Sequence, residues 1–332
     1  MRLKATVRSL IAPAALLVLG LAGASSPARA DYNTFKTLYS FCPTSACATG
    51  WHPYGGVVSD KAGNLYGTTL GGGNPTSPSR SLYSSGGVVY MLTKANNFSE
   101  TAIYSFCAVA NCTDGLGPQG DPAVDAEGRV YVAAEAGGAT ANNSNGFGTV
   151  VQLTPNSGKT SWTPRVIHVF DEDQHSTDGH TPIGGLIFDS DGNLYGTTWQ
   201  GGDNGNGTVF VLKPNHDGSV WTESILYSFC PKRNKQNICP DGSEPVATLA
   251  IDKKGNLYGT TQQGGASCPA GSCGTVFMVT PNKRKTEGTL TTLHRFCAGS
   301  KKTCDDEHGR AERPPSISNN PSHSIFLLRQ DW

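Results

Sequence analysis

The sequence predicts an all-β protein, a β-propeller built from ~64-residue four-stranded repeats, with four full copies and partial copies at both ends. Three observations predict it. First, a sentence is repeated: DKAGNLYGTTLGG at 60–72, DSDGNLYGTTWQG at 189–201 and DKKGNLYGTTQQG at 252–264. Second, three landmarks keep one order along the chain. The aromatic of the L-Y or V-Y pair recurs at Tyr66, Tyr131, Tyr195 and Tyr258, at spacings of 65, 64 and 63. A (Y/H)-x-F strand end recurs at Phe41, Phe106, Phe170, Phe229 and Phe296, and a G-(T/V)-V start at Gly87, Gly148, Gly207 and Gly274. Third, 41 Gly, 3 Met and only 16% charged residues suit turn-rich β structure better than helices, which favour Ala, Leu, Glu and Lys.

One repeat, residues 179 to 230, justifies the four strands in order. Leu186-Ile187-Phe188 is a short apolar run, strand a, ended by Asp189. The D-x-D-G-N stretch supplies Asp and Asn as turn acceptors and a Gly for positive φ, a tight hairpin signal. Strand b is Leu194 to Thr198, and a Gly-rich loop leads to strand c, Thr208 to Leu212, stopped by Pro214. Strand d, Thr222 to Phe229, alternates β-branched or aromatic residues with polar ones. A leucine-rich or β-helix solenoid needs a shorter repeat, and a two-sheet sandwich does not require near-identical units. A propeller does, because every blade meets its neighbours through the same two faces. Each D-x-x-G-N box is therefore a turn first and a site second.

This strand order puts the a–b and c–d turns on one face of the disc and the b–c loops and d-to-a connections on the other. The long, idiosyncratic loops 70–85, 136–147 and 262–273 fall on the second face, where binding is expected. The same face carries a repeated D-G-x-x-P entry into strand a: Asp114, Asp178 and Asp241, each followed by Gly and, four residues on, by Pro. In the first copy Thr49 replaces the Asp. With strand a lining the axis, Asp114, Asp178 and Asp241 are the candidate ligand-binding residues, a ring of carboxylates for a cation or sugar hydroxyls; the competing reading is an Asx-type turn before a Pro-stiffened strand.

The ten cysteines fall as local pairs: Cys42 with Cys47, Cys107 with Cys112, Cys230 with Cys239, Cys268 with Cys273, and Cys297 with Cys304. The third copy has Asp171 where the others have the first Cys, and both members are missing together, as a disulfide predicts. Metal binding by C-x4-C pairs is the rival, but no complementary Cys or His stands near each pair.

The ends complete the domain plan. Arg2, Lys4 and Arg8 precede an apolar run from Leu10 to Ala24, and Ala28-Arg29-Ala30 offers a cleavage site, so residues 1–30 read as a signal peptide. Residues 31–304 form the repeat domain and 305–332 a non-matching tail, expected to be disordered. Cleavage leaves 22 basic and 26 acidic side chains, a net of −4. That balance, without basic clusters, argues against nucleic-acid partners, and no later run is long enough to span a membrane. An exported protein, at the cell surface, outside the cell or in the periplasm, is expected.

Chemical motifs are sparse. His175, Asp178 and His180 offer two imidazoles and a carboxylate, yet in one copy only and with no fourth partner. Asp189 to Asn193 looks like half of a calcium loop, but Gln200 stands where an EF-hand has its Glu. No G-x-S-x-G elbow or phosphate loop occurs, so no catalytic residue, metal ligand or cofactor is assigned.

The pattern G-N-L-Y-G-T-T-x-x-G-G…G-T-V-F-x-(L/V)-T-P…L-Y-S-F, carried by residues 60–72, 205–214, 222–229, 252–265 and 274–281, resembles the GloVer (Gloeobacter/Verrucomicrobia-type) tandem-repeat family of exported bacterial proteins. The resemblance spans about 35 to 304 and implies a propeller-like exported protein, often held at the surface by a C-terminal anchor, with no activity general to the family. Two departures stand out: the second copy reads Gly128-Arg129-Val130-Tyr131-Val132 and loses G-T-T, and the fifth copy stops matching at Glu307. Either the chain is a truncated relative of a longer protein, or Thr34 to Phe41 pairs into the last unit and closes a small ring. The expected function is non-catalytic binding of a glycan, polymer or protein; the alternative is a propeller lyase or glycan hydrolase working at the channel mouth.

Overall fold

The computed structural model describes residues 36–42, 49–73, 86–138, 146–170, 177–268 and 271–296. The signal segment 1–30 and the tail 305–332 lie outside them. The blades belong to one compact unit that begins at Leu38.

The fold is all-β and the unit is a four-stranded antiparallel blade. Blade 1 holds β1 (Val58–Ser59), β2 (Leu65–Gly73), β3 (Gly86–Thr93) and β4 (Ser99–Ser105). Blade 2 holds β5 (Ala123–Val124), β6 (Val130–Ala134), β7 (Thr149–Pro155) and β8 (Trp162–Val169). Blade 3 holds β9 (Ile187–Phe188), β10 (Leu194–Thr198), β11 (Thr208–Pro214) and β12 (Trp221–Ser228). Blade 4 holds β13 (Ser243–Pro245), β14 (Ala250–Ile251), β15 (Leu257–Gln263), β18 (Thr275–Pro281) and β19 (Gly288–Arg295), with a ribbon of β16 (Ser267–Cys268) and β17 (Gly271–Ser272) between β15 and β18. In each blade the main strands pair in chain order, a meander from the inner to the outer edge. All four blades carry a register shift at the same place on the c–d ladder, at Val89/Tyr90, Val150/Val151, Val209/Phe210 and Val276/Phe277. These are the repeated units that the sequence predicts.

The glycine of L-Y-G-T-T has a packing reason. Gly67, Gly196 and Gly259 sit opposite Tyr90, Phe210 and Phe277 on strand c. A Cβ on Gly196 would stand 2.5 Å from Phe210 Cζ, and on Gly259 2.5 Å from Phe277 Cζ. The aromatic ring lies over the glycine and meets the strand-d Phe of the preceding blade: Phe41 on Tyr90, Phe170 on Phe210 and Phe229 on Phe277, at 4.7, 5.2 and 5.1 Å between centroids. Blade 2 departs from the pattern because both partners change together: Val132 faces Val151. Two medium side chains replace none and a large one, so the volume is conserved.

Three apolar clusters follow, one at each blade junction from 1/2 to 3/4. A fourth covers the remaining face of blade 1, where Leu38, Tyr39 and Phe41 pack on Leu65, Val88 and Tyr90 as the strand d of a preceding blade would. Among the described residues, this segment adds no strand to β19, which is the outer edge of its own sheet. Blade 4 shows the consequence on its far side. The second and third strands of the first three blades, β2, β3, β6, β7, β10 and β11, are buried on both faces over most of their length, whereas β15 and β18 alternate between buried and half-buried.

The inner ends of all four blades converge. Asp121 accepts hydrogen bonds from the Gly56 amide of blade 1 and, at 2.9 Å, from Thr248 Oγ1 of blade 4, while the Gly185 amide of blade 3 donates to Thr248 Oγ1 at 3.2 Å. A Cβ on Gly120 would stand 2.3 Å from the Gly184 carbonyl oxygen. Only bare backbone permits that approach. Among the described residues no helix is long and apolar enough to cross a membrane.

Candidate functional site

Each turn box closes on itself. Asp60 Oδ1 accepts from the amides of Ala62 and Asn64, and its Oδ2 from Asn64 Nδ2 and Tyr66 Oη, all at 2.9–3.0 Å. Asp189 and Asp252 repeat this set with Asn193 and Tyr195, and with Asn256 and Tyr258. Asp125 does the same with Tyr131, using Arg129 where the others use Asn. The spacing D-x-x-G-N-x-Y is thus an intrablade clasp, as the turn reading expected.

The next blade then reaches over. Lys159, in the c–d turn of blade 2, donates to Asp60 Oδ2 at 2.7 Å and to Tyr66 Oη at 2.9 Å. Lys285 of blade 4 pairs with Asp189 and Asp191 of blade 3 at 2.6 and 2.7 Å. Burial alone would raise the Asp60 carboxyl, but the bonds from Lys159, Asn64 and Tyr66 overcome it and bring its pKa to about 2. Both lysines hold left-handed backbone, at φ 53° each.

At the junction of blades 2 and 3 this bridge is missing. Asn215-His216-Asp217-Gly218 aligns with Asn156-Ser157-Gly158-Lys159 and Asn282-Lys283-Arg284-Lys285, so Gly218 stands where the others have lysine. It keeps the left-handed backbone at φ 69°. An open cleft of about 470 Å³ lies there instead. Its apolar wall is Tyr131, Phe188 and Trp221, with Tyr131 edge-on to Phe188 at 5.0 Å and to Trp221 at 5.7 Å. Around it stand Asp125, Glu127, Arg129, Gln152, His216 and Asp217. Gln152 Nε2 donates to Tyr131 Oη at 2.6 Å, and Arg129 binds both Asp125 and Glu127. Burial is the largest influence on the Tyr131 hydroxyl, whose pKa is pushed up to about 12, so it stays protonated. Asp189, also on the wall, is held below the usual carboxylate value: burial pulls it up, and Lys285, Asn193 and Tyr195 outweigh that pull.

The cleft lies on the face of the short turns, opposite the loop-rich face where binding was expected. Segments 74–85, 139–145 and 171–176, assigned to that second face by the sequence, lie outside the described residues. The carboxylates singled out from the D-G-x-x-P entries occupy three separate junctions. Asp114 Oδ2 accepts from Tyr104 Oη at 2.6 Å and from the Ala108 amide at 3.0 Å; Asp241 Oδ2 accepts from Tyr227 Oη and the Cys230 amide at 2.8 and 3.0 Å. These two tie strand d to the connection that follows it. Asp178 lies 3.8 Å from His168 Nε2, and the carboxylate at the axis is Asp121. His180, from the H-x-x-D-x-H motif, bonds Thr181 Oγ1 through Nδ1 and packs on Phe147, and burial lowers its pKa. His175 lies outside the described residues.

Disulfides Cys107–Cys112 and Cys230–Cys239 are formed as the pairing predicts. Cys42 and Cys273 are also disulfide-bonded. Cys47, Cys297 and Cys304, and the side chain of Cys268, lie outside what is described.

The missing lysine was the signal that sequence reading passed over. Aligning strand ends finds the conserved landmarks, whereas the cleft is announced by a mismatch in a polar turn, N-x-x-G against N-x-x-K.

The Gloeobacter/Verrucomicrobia repeat profile matches residues 139–308, slightly more than half of the chain. The chain belongs to this family. No curated protein matches it in sequence. Solved structures with similar geometry include a protein of unknown function from Dyadobacter fermentans, 12% identical, with 75% of this chain and 71% of that one covered at a TM-score of 0.44. A sialidase from Trypanosoma rangeli is 13% identical, covering 72% of this chain at a TM-score of 0.42; the match spans 37% of the sialidase. An arabinanase from Bacillus subtilis is 14% identical, with 74% and 80% covered and a TM-score of 0.38. At these scores none of them carries an argument, and the description of the fold rests on the blades themselves.

Proposed function

We propose that the protein is an exported, non-catalytic binding propeller that holds a saccharide in the cleft between blades 2 and 3. The observation that carries this reading is the replacement of the bridging lysine by Gly218, which leaves an aromatic wall and a polar rim open to solvent. Sugars suit such a surface: their C–H faces pack on aromatic rings while their hydroxyls bond carboxylates, amides and guanidinium groups. The volume of about 470 Å³ falls in the usual range of small-molecule sites.

The site's carboxylates favour binding over hydrolysis. A glycosidase pair needs one carboxyl kept protonated as the acid. Here Asp125 is committed to Arg129 and Tyr131, and Asp189 to Lys285. The N-terminal signal pattern and the disulfides support export.

The test is titration of the mature chain with a panel of neutral and acidic oligosaccharides by calorimetry, alongside Gly218→Lys. A Cβ at Gly218 meets nothing within 4 Å, so the substitution has room and rebuilds the bridge seen at the other junctions. Wild type is expected to bind a member of the panel and the variant to lose at least tenfold in affinity. Equal affinity, or no binding by wild type, removes the cleft as the site.

A further inference from the structure

His168 on β8, Asp178 in the connection after it and Glu223 on β12 meet at the outer part of the same blade junction. Their side chains are only 15%, 16% and 12% exposed. The nearest carboxylate oxygens, Asp178 Oδ2 and Glu223 Oε1, both face one imidazole atom, Nε2, at 3.8 and 3.6 Å. One ligand atom from each of the three residues lies within 4.8 Å of the others. From this geometry we infer a binding site for a divalent transition-metal cation of the zinc class, with His168 Nε2, Asp178 and Glu223 as its protein ligands.

The distances point to an ion rather than to hydrogen bonds. A bond from Nε2–H to a carboxylate falls near 2.7–2.9 Å, and a single proton serves only one of the two acceptors. Two ligands that each stand about 2.1 Å from a shared ion, at a tetrahedral angle, are about 3.4 Å apart. The observed separations lie within a few tenths of an ångström of that. Glu223 Oε1 is buried and accepts no hydrogen bond. One imidazole with two carboxylates is a zinc-type donor set, and a water would complete the coordination.

The other junctions show how specific this convergence is. Glu223 pairs with Leu212 on strand c, and the same register position holds Pro164 in blade 2 and Leu290 in blade 4. There the residue equivalent to His168 is Tyr104 or Tyr227, whose hydroxyl bonds Asp114 or Asp241 directly. In blade 1 the position is Glu100, which accepts from Tyr39 Oη, a hydroxyl that also meets Thr49, and among the described residues no metal-binding group of three forms there. Among the described residues, only the junction of blades 2 and 3 combines histidine with two carboxylates. Its connection also lacks the cysteine pair that closes the others, Asp171 standing in place of the first Cys. An ion joining β8, the connection and β12 ties down the same segment that a disulfide ties elsewhere.

The test uses the mature chain with disulfides intact and Zn2+ as the probe, read by calorimetry and by the midpoint of thermal unfolding, beside His168→Tyr and Glu223→Gln. His168→Tyr restores the Tyr–Asp pair of the neighbouring blades, so it is expected to fold. Wild type is expected to bind one Zn2+ equivalent at this site and to gain thermal stability from it. Both variants are expected to lose at least tenfold in that affinity and to lose the shift, while unfolding cooperatively without metal. Zn2+ binding unchanged in both variants, or Ca2+ binding more tightly than Zn2+, overturns the assignment.

Discussion

Lys159→Met removes the bridge between blades 1 and 2 and gives the sharpest check on how the blades are held together. Asp60 is 8% exposed and Lys159 28% exposed, so the pair is partly withdrawn from water. The Asp60 carboxyl falls from its ordinary 3.8 to about 2. Burial is the largest single influence and acts the other way, so the hydrogen bonds from Lys159, Asn64 and Tyr66 together exceed it. A difference of roughly two pKa units corresponds to about 2.5 kcal/mol for the whole set. Lys159 supplies the only full charge among these partners, and solvent screens its exposed side, which leaves about 1–2 kcal/mol for the lysine. The sign with pH follows from linkage. A carboxyl whose folded pKa lies below its unfolded pKa contributes in full above the unfolded value, and that contribution is lost as pH falls toward the folded value. Lys159→Met is therefore expected to cost about 1–2 kcal/mol in urea unfolding at pH 7, shrinking between about pH 5 and pH 2. Lys159→Gly makes the same electrostatic loss but relieves the left-handed backbone at φ 53°, and is expected to recover about 1 kcal/mol. A destabilisation by Lys159→Met that is the same at pH 7 and pH 2.5 would refute the electrostatic account.

Three further outcomes follow from other parts of the structure. Burial raises Glu100 to a pKa of about 7, and its Oε1 is buried without a hydrogen bond; an acid with a raised folded pKa gives up stability as pH climbs through that value. Because Glu100 is only half-buried, solvent screens much of the effect, so Glu100→Gln is expected to gain about 1–2 kcal/mol over wild type at pH 8.5 and almost nothing at pH 4, read by urea unfolding. Gly120→Ala places a Cβ against the Gly184 backbone at the axis and is expected to cost about 3 kcal/mol or more, with a lower thermal midpoint; a neutral result contradicts the convergence at Asp121. Replacing Cys230 and Cys239 together with Ser opens a short loop whose ends stand 9 positions apart, and is expected to cost about 2–3 kcal/mol in equilibrium unfolding.

The fold was legible because the repeat is written in residues whose reasons are local. Asp60, Asn64 and Tyr66 close one turn within seven residues, and the same set recurs, so a single chain shows the motif several times. The strand bounds follow: β10 at Leu194–Thr198 coincides with the sequence reading, while β11 runs on to Pro214, because proline at a strand's last position needs no donated bond. The pairs Cys107–Cys112 and Cys230–Cys239 were legible for the same reason. The site was not, because its residues are far apart in the chain. His168 and Glu223 stand on the outer strands of successive blades, and the cleft depends on Tyr131 from one blade meeting Trp221 from the next. Asp114 and Asp241, candidates because they recur, each accept a recurring bond, from Tyr104 and Tyr227.

In a repeat protein the constant positions report packing, so function is better sought where one copy departs from the rest, provided that the departure is not compensated. Val132 against Val151 departs from glycine against an aromatic ring, but the two changes conserve volume and leave no gap. Thr49 departs from Asp, and Tyr39 turns to it and to Glu100 instead. Gly218 is different: no side chain replaces the lysine, Arg129 takes over Asp125 from within its own blade, and the space stays open. His168 is different in the opposite sense, since it adds a ligand atom between two carboxylates where the other junctions of paired blades need only a phenol and one. Both uncompensated departures fall at the junction of blades 2 and 3, one on its turn face and one at its outer strands. A series of equal blades held by equal clasps gives no reason for that coincidence, whereas a ligand seated at one junction does.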